Sequence, residues 1–168
     1  VQVKDWLHSA EGLSLRLNRA TREQPKIQEQ THITESMLSA FTEPPIEALK
    51  SRGLTPNAAK QYNLLWDRHH KNWIIPIREP HTNKLLGWQE KGYDRRYFRN
   101  YPSGVQKSHS LFGHGQYVSG DMIVVESPLD VVRLASLGIT GGVAVYGALV
   151  SNNQFELIRG GDRVIFAM

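Results

Sequence analysis

The chain of 168 residues contains no cysteine. This absence excludes a disulfide-stabilised scaffold and any zinc site built on cysteine thiolates in this sequence, and it is consistent with a reducing cytoplasm. No apolar stretch approaches the roughly 18 residues that a membrane-spanning helix needs, and no signal-peptide pattern is visible. With 40% hydrophobic and 21% charged residues, the composition predicts a soluble, cytoplasmic globular protein with no membrane partner.

The formal net charge is only +4, but the charges are distributed unevenly along the chain. Residues 84–107 carry 6 lysines and arginines against 2 acidic residues, whereas residues 108–168 carry 3 against 5. A basic segment followed by an acidic one predicts a phosphate-bearing partner next to a site that can hold cations. A solvated basic face without a ligand is the alternative that charge alone leaves open.

The first two thirds of the chain predict a polar lead-in followed by mixed secondary structure. Residues 1–33 are polar and are interrupted by Pro25, while "PPIEALKSRGL" and "TPNAAKQYNLLW" each start with prolines or a cap and predict short helices. "NWIIPI" and "KLLGWQEK" predict two strands joined by a turn, and Pro76 predicts an edge position or a bulge in the first strand. The segment from there to Gly113 lacks a clear period and is predicted to be irregular.

The last third of the chain alternates strands and helices. "DMIVVE", "GGVAVYG" and "DRVIFAM" predict three short apolar strands, separated by helices in "SPLDVVRLASLG" and "SNNQFELIRGG". Ser151 and Gln154 have the spacing of a capping box at the start of the second helix. Near-continuous apolar strands that alternate with helices are typical of a parallel sheet covered on both faces. We therefore predict an α/β fold in which Val124, Val145 and Ile165 lie buried in one parallel sheet.

Two acidic residues lie at the junction between the first of these strands and its helix. Ligand sites of open α/β sheets form at the carboxyl ends of strands, where Glu126 lies. An acid that closes a buried strand needs a cation, a base or a metal as its partner. Asp130 has a structural alternative, because Ser127-x-x-Asp130 has the spacing of a helix capping box and an acid in a first turn favours the helix dipole.

These residues belong to a longer resemblance. "VVESPLDVVRLASLGI", followed by "GGVAVYGALVSNNQFELI" and "RVIFAM", resembles the TOPRIM domain of bacterial- and phage-type DNA primases. Upstream, "WIIPIREPHTNKLLGWQEK", "YFRNYP" and "HSLFG" resemble stretches of the primase catalytic core in the same order, so the resemblance covers about residues 34–168. The sequence departs from the family at Ser127, where a glycine is usual, and it has no cysteine-bearing zinc module.

A further departure concerns the family's Asp-x-Asp pair, which should follow "RVIFAM" directly and is not among the 168 residues. The resemblance therefore predicts that the sequence is truncated before this motif, and that further aspartate ligands lie beyond Met168. Because one or two carboxylates hold a magnesium ion weakly, we expect the 168-residue chain alone to bind Mg²⁺ weakly and to make no primers.

The resemblance implies a fold with two parts. Residues 34–117 would form an N-terminal basic α+β lobe, and residues 118–168 would form the N-terminal part of a TOPRIM domain. The second part would be an incomplete, Rossmann-like parallel β-α-β-α-β unit. The overall fold class is therefore α/β, with residues 1–33 as the polar lead-in.

The resemblance also implies an activity, namely the template-directed synthesis of short RNA primers on single-stranded DNA. The substrates would be nucleoside triphosphates (NTPs), the cofactor would be Mg²⁺ or Mn²⁺, and a replicative helicase would be a further partner. Glu126 and Asp130 would be catalytic and metal-binding residues. Tyr97 and Phe98 would stack on bases or pack in the core. Six residues would contact nucleic acid: Lys91, Arg95, Arg96, Arg99, Asn100 and Lys107.

Two other functions stay open at this point. One is another TOPRIM activity, such as a nuclease or a topoisomerase, although the basic upstream lobe argues against it and no tyrosine can be singled out as a strand-passing nucleophile. The other is a non-catalytic nucleic-acid-binding fragment, which the absence of Asp-x-Asp keeps open. An assay of primer synthesis with template, NTPs and Mg²⁺ separates the three functions.

Overall fold

The computed structural model describes residues 32–168, which form two β-sheets and four short α-helices. The first sheet is antiparallel and has the strand order β1-β2-β3-β4, and the second has the order β6-β5-β7. The strands are β1 Leu65–Asp67, β2 Asn72–Arg78, β3 Leu85–Gly92, β4 Phe98–Tyr101, β5 Asp121–Val125, β6 Gly142–Ala144 and β7 Arg163–Phe166. The helices are α1 Ile46–Ser51, α2 Pro56–Gln61, α3 Pro128–Ser136 and α4 Asn152–Ile158. Short 3-10 turns cover Glu35–Ala40, Lys107–His109 and His114–Gln116.

Helices α1 and α2 begin and end for reasons that are local to the sequence. Gly53 follows the end of α1 with a φ of +64°, in the left-handed region that glycine adopts without steric cost. Pro56 starts α2, and the hydroxyl of Thr55 accepts a hydrogen bond from the backbone N–H of Ala58 at 3.3 Å. The two predicted helices are confirmed, but the second is shorter than predicted, because Leu65 lies in β1.

The register of the antiparallel sheet decides which side chains share a face. Across β2 and β3, Trp73 lies opposite Lys91 and Ile75 lies opposite Gln89. Strand β4 pairs with β3 at the edge of the sheet, within the segment that was predicted to be irregular. That prediction is wrong because pairing with β3 makes Phe98–Tyr101 a strand, and these four residues have no apolar alternation of their own.

Pro76 lies in β2 where one side of the strand has no neighbour. Strand β1 pairs with β2 only as far as Ile74, so the proline faces no strand on that side. The register with β3 also shifts between Ile77 and Arg78. The edge position or bulge that the proline predicts is therefore confirmed.

The last third of the chain forms the predicted parallel sheet. Strands β6 and β7 both run parallel to β5, and helices α3 and α4 connect them in turn. Val124 and Val145 are buried, but Ile165 is 39% exposed. The predicted burial of Ile165 is wrong because β7 is an edge strand among the described residues, with β5 as its neighbour.

One hydrophobic core connects the two sheets. Trp73, Ile75 and Ile77 on one face of β2 pack in a cluster with Val131 and Val132 of α3, and with buried residues of α1 and α2. The opposite face of the antiparallel sheet packs under the first 3-10 turn, and α4 helps to cover the parallel sheet. This core holds the end of β3 beside the carboxyl ends of β5 and β6.

The hydrophobic core contains residues from both sides of the predicted lobe boundary at 117/118. The division of the chain into two lobes at that position stays a prediction. The predicted polar lead-in over residues 1–33 lies outside the described residues except for its last two positions. Within residues 32–168, no helix has the length and apolar character that crossing a bilayer requires.

His114 should make the stability of the fold depend on pH. Burial lowers the pKa of His114, the nearby His81 lowers it further, and a hydrogen bond with the backbone of Pro80 opposes both effects. Because the folded-state pKa lies below the unfolded value of about 6.5, the unfolded chain binds more protons as the pH falls through that value. We therefore expect the free energy of unfolding to decrease below about pH 6.5.

Replacing His114 with glutamine should reduce this acid sensitivity. Urea unfolding at neutral and at mildly acidic pH measures the effect, and the exposed His69→Gln serves as the matched control. An equal loss of stability with pH in the His114→Gln variant and the unmodified protein would show that another group causes the dependence.

Candidate active site

Glu126 directly follows β5, at the carboxyl end of the central strand of the parallel sheet. The last two residues of the strand, Val124 and Val125, are buried, but Glu126 itself is solvent-exposed. The sequence argument that Glu126 needs a partner because of burial is therefore wrong, since a carboxylate in water has no large desolvation cost. Its exposure instead leaves the carboxylate accessible to a hydrated cation or a substrate.

Asp130 lies in the first turn of α3 and is also exposed. Ser127 is the N-cap residue and Pro128 takes the first helical position, but the side chain of Ser127 makes no capping hydrogen bond. The backbone N–H of Asp130 donates to the carbonyl oxygen of Ser127 at 2.9 Å. The capping box that offered a structural explanation for Asp130 is therefore not formed, and only the helix dipole remains as a structural reason for an acid there.

Two lysines reach the carboxyl ends of the parallel strands. Lys91, near the end of β3, places its Nζ 3.5 Å from the Oγ of Ser127, the residue next to Glu126. Lys107 donates a hydrogen bond from its Nζ to the carbonyl oxygen of Tyr146 at 3.2 Å, just beyond β6. Neither lysine forms an ion pair within residues 32–168, so both charges are available to an anionic ligand.

Tyr146 is a residue of this site that the sequence analysis missed. Its φ of +62° lies in the left-handed region, which is uncommon for a residue with a side chain. The side chain is buried, its hydroxyl donates to the carbonyl oxygen of Pro76 at 3.3 Å, and burial raises the pKa of Tyr146 above its usual range. The "YG" pair indicates a turn after β6, but the contact with Lys107 depends on tertiary structure.

Gln154 holds the backbone that carries Lys107. Its buried Nε2 donates to the carbonyl oxygens of Lys107 at 3.2 Å, Ser110 at 2.9 Å and Val145 at 2.9 Å. Its Oε1 accepts from the backbone N–H of Ser151, which completes the predicted capping box at the start of α4. The Ser151–Gln154 spacing therefore predicted the start of the helix. The hydrogen bonds from Nε2 of Gln154 to the backbone near Lys107 could not be predicted from spacing.

The register across β3 and β4 divides the six predicted nucleic-acid contacts. Side chains alternate between faces, so Lys91 and Asn100 share the face that packs toward the parallel sheet. Lys107 lies on the same side, because its Nζ donates to the carbonyl oxygen of Tyr146 just beyond β6. Arg99 lies opposite Glu90 and therefore belongs to the other face of the antiparallel sheet. The structure thus brings three of the predicted residues together and leaves Arg99 apart.

Arg95 and Arg96 lie in the loop between β3 and β4, and they differ in what they contact. Arg95 donates from Nη2 to the Oδ1 of Asn72 at 3.1 Å, and its guanidinium lies 4.6 Å from the ring centroid of Tyr97. These contacts hold the loop in place. Both arginines are solvent-exposed, but Arg96 makes no such contact within residues 32–168, so its guanidinium is the more available of the two for a phosphate.

Two adjoining clefts connect Asp130 with this basic loop. The smaller cleft has a volume of 380 Å³ and is lined by Ser51, Arg52, Lys91, Ser127, Leu129, Asp130 and Arg133. The larger has a volume of 720 Å³ and is lined by Arg52, Lys91 and residues 92–98. Arg52 and Lys91 line both clefts, so positive charge is continuous from Asp130 to the loop. Arg52 and Arg133 were not predicted to belong to the site, because they lie outside the basic segment of the sequence.

The donor set of Glu126 and Asp130 agrees with the divalent cation that the primase resemblance implies. Within residues 32–168 there is no cluster of three or more His, Asp or Glu side chains able to enclose a metal. Magnesium, however, keeps several of its waters and is commonly bound by one or two carboxylates plus substrate phosphates. The two acids therefore fit one part of a Mg²⁺ or Mn²⁺ site.

Comparison with known proteins agrees with this geometry. No protein-family model matches the sequence. The DNA primase of Legionella pneumophila is 26% identical over 157 aligned positions, which cover 67% of this chain and 27% of that protein. The primase fragment of the bacteriophage T7 primase-helicase protein superposes with a TM-score of 0.66 at 16% identity, over 88% of this chain and 64% of the fragment. The chain has the fold of a DNA primase catalytic core.

A second solved primase supports the same fold. The Aquifex aeolicus primase, solved with its zinc-binding and RNA polymerase domains, superposes with a TM-score of 0.60 at 23% identity, covering 71% of this chain and 41% of that one. The chain thus spans less than two thirds of these relatives. The predicted α/β fold class and the resemblance to bacterial- and phage-type primases are confirmed, whereas the truncation before Asp-x-Asp stays a prediction.

Proposed function

We propose that this chain takes part in the template-directed synthesis of RNA primers on single-stranded DNA, as the catalytic core of a primase. The proposal rests mainly on the side chains of Lys91 and Lys107, which reach the carboxyl ends of the parallel strands β5 and β6. Strand β5 leads directly into Glu126. Nucleotidyl transfer suits such a site, because phosphate charge needs cations beside it and the metal needs carboxylates. The similarity to a DNA primase supports the proposal.

In this function each side chain of the site has a distinct role. Glu126 and Asp130 would hold Mg²⁺ or Mn²⁺, which would supply positive charge to neutralise the phosphates during nucleotidyl transfer. Lys91 and Lys107 bind phosphate oxygens of the incoming NTP or of the primer. Asn100 accepts a hydrogen bond from Gln89 at 3.5 Å through its Oδ1, which leaves its amide N–H groups to donate to a ligand.

The template strand would lie along the larger cleft. Arg52, Arg96 and Lys91 supply positive charge there, and Arg95 holds the loop that forms one wall. A DnaG primase catalytic domain has been solved bound to single-stranded DNA, and this chain superposes on it with a TM-score of 0.50 at 22% identity, over 96% of this chain and 56% of that one. That similarity supports single-stranded DNA as the ligand of the cleft.

A replicative helicase as a partner and a cytoplasmic location belong to the same proposal, because priming is a step of DNA replication. The T7 relative is a fragment of a primase-helicase protein, which supports the helicase. NTPs follow from the reaction itself. A non-catalytic DNA-binding role is the alternative, since the site has two acids here and the 168 residues contain no Asp-x-Asp pair.

An assay of primer synthesis tests the proposed function directly. The protein is incubated with a single-stranded template, labelled NTPs and Mg²⁺ or Mn²⁺, and RNA products are separated by size. With a segment that carries Asp-x-Asp added, we expect short RNA whose formation requires both template and metal, whereas the 168 residues without that segment should make none. Strand cleavage without any RNA product would favour a different TOPRIM activity, and binding of DNA without either reaction would favour the non-catalytic alternative.

The two faces of the antiparallel sheet should contribute unequally to DNA binding. We expect Lys91→Gln and Lys107→Gln each to weaken binding of single-stranded DNA and to reduce the log–log salt slope by about 0.7, the value for one lost phosphate contact. Arg99→Gln is the matched control, because it removes one positive charge from the opposite face. Fluorescence anisotropy over a range of salt concentrations measures both quantities. Equal effects of all three substitutions would contradict the assignment of the faces.

A further inference from the structure

Phe98 is an exposed aromatic residue among the charged and polar groups of the site. It is 55% exposed, although burial of a phenylalanine side chain is normally favourable. It begins β4 at the edge of the antiparallel sheet and lies directly opposite Lys91. It therefore shares the face of Lys91 and Asn100, toward the parallel sheet.

The neighbouring Tyr97 is occupied by contacts within the protein. Its hydroxyl donates to the Oε2 of Glu90 at 3.1 Å, and the guanidinium of Arg95 lies over its ring. Phe98 has no hydroxyl to anchor it, and more than half of its surface faces solvent. The structure therefore distinguishes the two aromatic residues, which sequence alone left equivalent.

Lys107 fixes the charge environment of the Phe98 ring. Its Nζ lies 5.2 Å from the ring centroid while it also donates to the carbonyl oxygen of Tyr146. A cation near an aromatic ring stabilises the ring's orientation. The ring thus lies between two lysines, Lys91 across the strand pair and Lys107 beyond it. Exposed aromatic rings beside lysines form the surfaces on which unpaired bases stack.

We infer that Phe98 stacks against a nucleobase whose attached phosphates are bound by Lys91 and Lys107. This inference rests on the proposed function, since it assigns one more contact to the same site. The ligand chemistry is a planar base next to a phosphate, which a single DNA strand and an NTP both provide. Stacking on phenylalanine uses the face that all bases share, so the contact tolerates any sequence.

The test compares ligands with and without bases. The affinity of the protein is measured for a short single-stranded oligonucleotide and for the same strand with abasic positions, and separately for ATP and for inorganic tripolyphosphate. We expect the unmodified protein to prefer the base-bearing member of at least one pair by about tenfold. Phe98→Leu should remove that preference and leave the salt slope unchanged, whereas Phe98→Trp should retain the preference.

Phe155→Leu is the matched control, because Phe155 in α4 is 49% exposed and lies on a different element. If Phe98→Leu removes only the preference for the intact strand over the abasic strand, the stacked base belongs to the DNA. If it removes only the preference for ATP over tripolyphosphate, the stacked base belongs to the incoming nucleotide. A preference that Phe98→Leu leaves intact would overturn the inference while the nucleic-acid site stands. Absence of any binding that depends on Lys91 and Lys107 would overturn the proposed function and the inference together.

Discussion

Replacing Glu126 with glutamine should abolish primer synthesis while the protein stays as stable as before. The substitution keeps the shape of the side chain but removes the charge that holds a divalent cation at the end of β5, so we expect the rate to fall by at least about 10³-fold. Because Glu126 is exposed, its neutralisation should change the free energy of unfolding by less than about 0.5 kcal/mol. Primer synthesis in the presence of a segment that carries Asp-x-Asp, and urea unfolding of the same preparation, test both statements.

Asp130→Asn should cause a similar loss of activity, because the two acids are proposed to share the metal. Its effect on stability should also be small, since Asp130 forms no side-chain capping box with Ser127. Glu156→Gln is the control, because among the described residues Glu156 pairs only with Arg159, in an exposed ion pair. Strong destabilisation by Glu126→Gln would point to a structural ion pair and against a metal site.

Gly141→Ala should destabilise the fold by about 3 kcal/mol or more. Gly141 has a φ of +83°, and a Cβ atom there would lie 2.0 Å from the carbonyl oxygen of Asp121. The carbonyl oxygen of Gly141 also accepts a hydrogen bond from the backbone N–H of Ile123 at 2.9 Å. A methyl group would therefore separate β5 from the start of β6, and with them the two strand ends that form the site.

Gly138→Ala is a matched control for this effect. Gly138 has a similar φ of +77°, but a Cβ atom at that position would have no atom within 4 Å. Its replacement should cost only the strain of the left-handed conformation, about 1 kcal/mol. Urea unfolding of both variants separates strain from steric overlap. Equal losses of stability would mean that the backbone near Asp121 moves to accommodate the methyl group.

The parallel half of the fold could be predicted from the sequence because its signals are local. Apolar runs, a serine-proline helix start and the Ser151–Gln154 spacing each act within a few residues, and all three strands were located correctly. The exposure of Ile165 could not be predicted from its apolar segment, because the exposure of a strand residue depends on whether another strand lies beside that strand. Strand β4 was missed for the related reason that its conformation comes from pairing with β3.

The candidate site shows the same division. The positions of Glu126 and Asp130, at the end of a strand and the start of a helix, could be read from sequence, and their role in the site stays a prediction. The grouping of Lys91 with Lys107, and the separation of Arg99 from them, could not be read, since it depends on strand register and on contacts between distant segments. Tyr146 was missed because its hydroxyl partner lies in β2, far away in the chain.

By itself, the sequence determined the α/β class of this protein, the order of strands and helices in its parallel half, and the positions of two acids, one directly after β5 and one in the first turn of α3. These features follow from hydrophobic periodicity, capping and turn chemistry, which act over short distances along the chain. Only the tertiary structure decided which basic residues face those acids and which aromatic ring remains exposed beside them. The reason is that the direction and the exposure of these side chains depend on cross-strand register and on the packing of β2 against α3. Both bring together residues that are far apart in sequence.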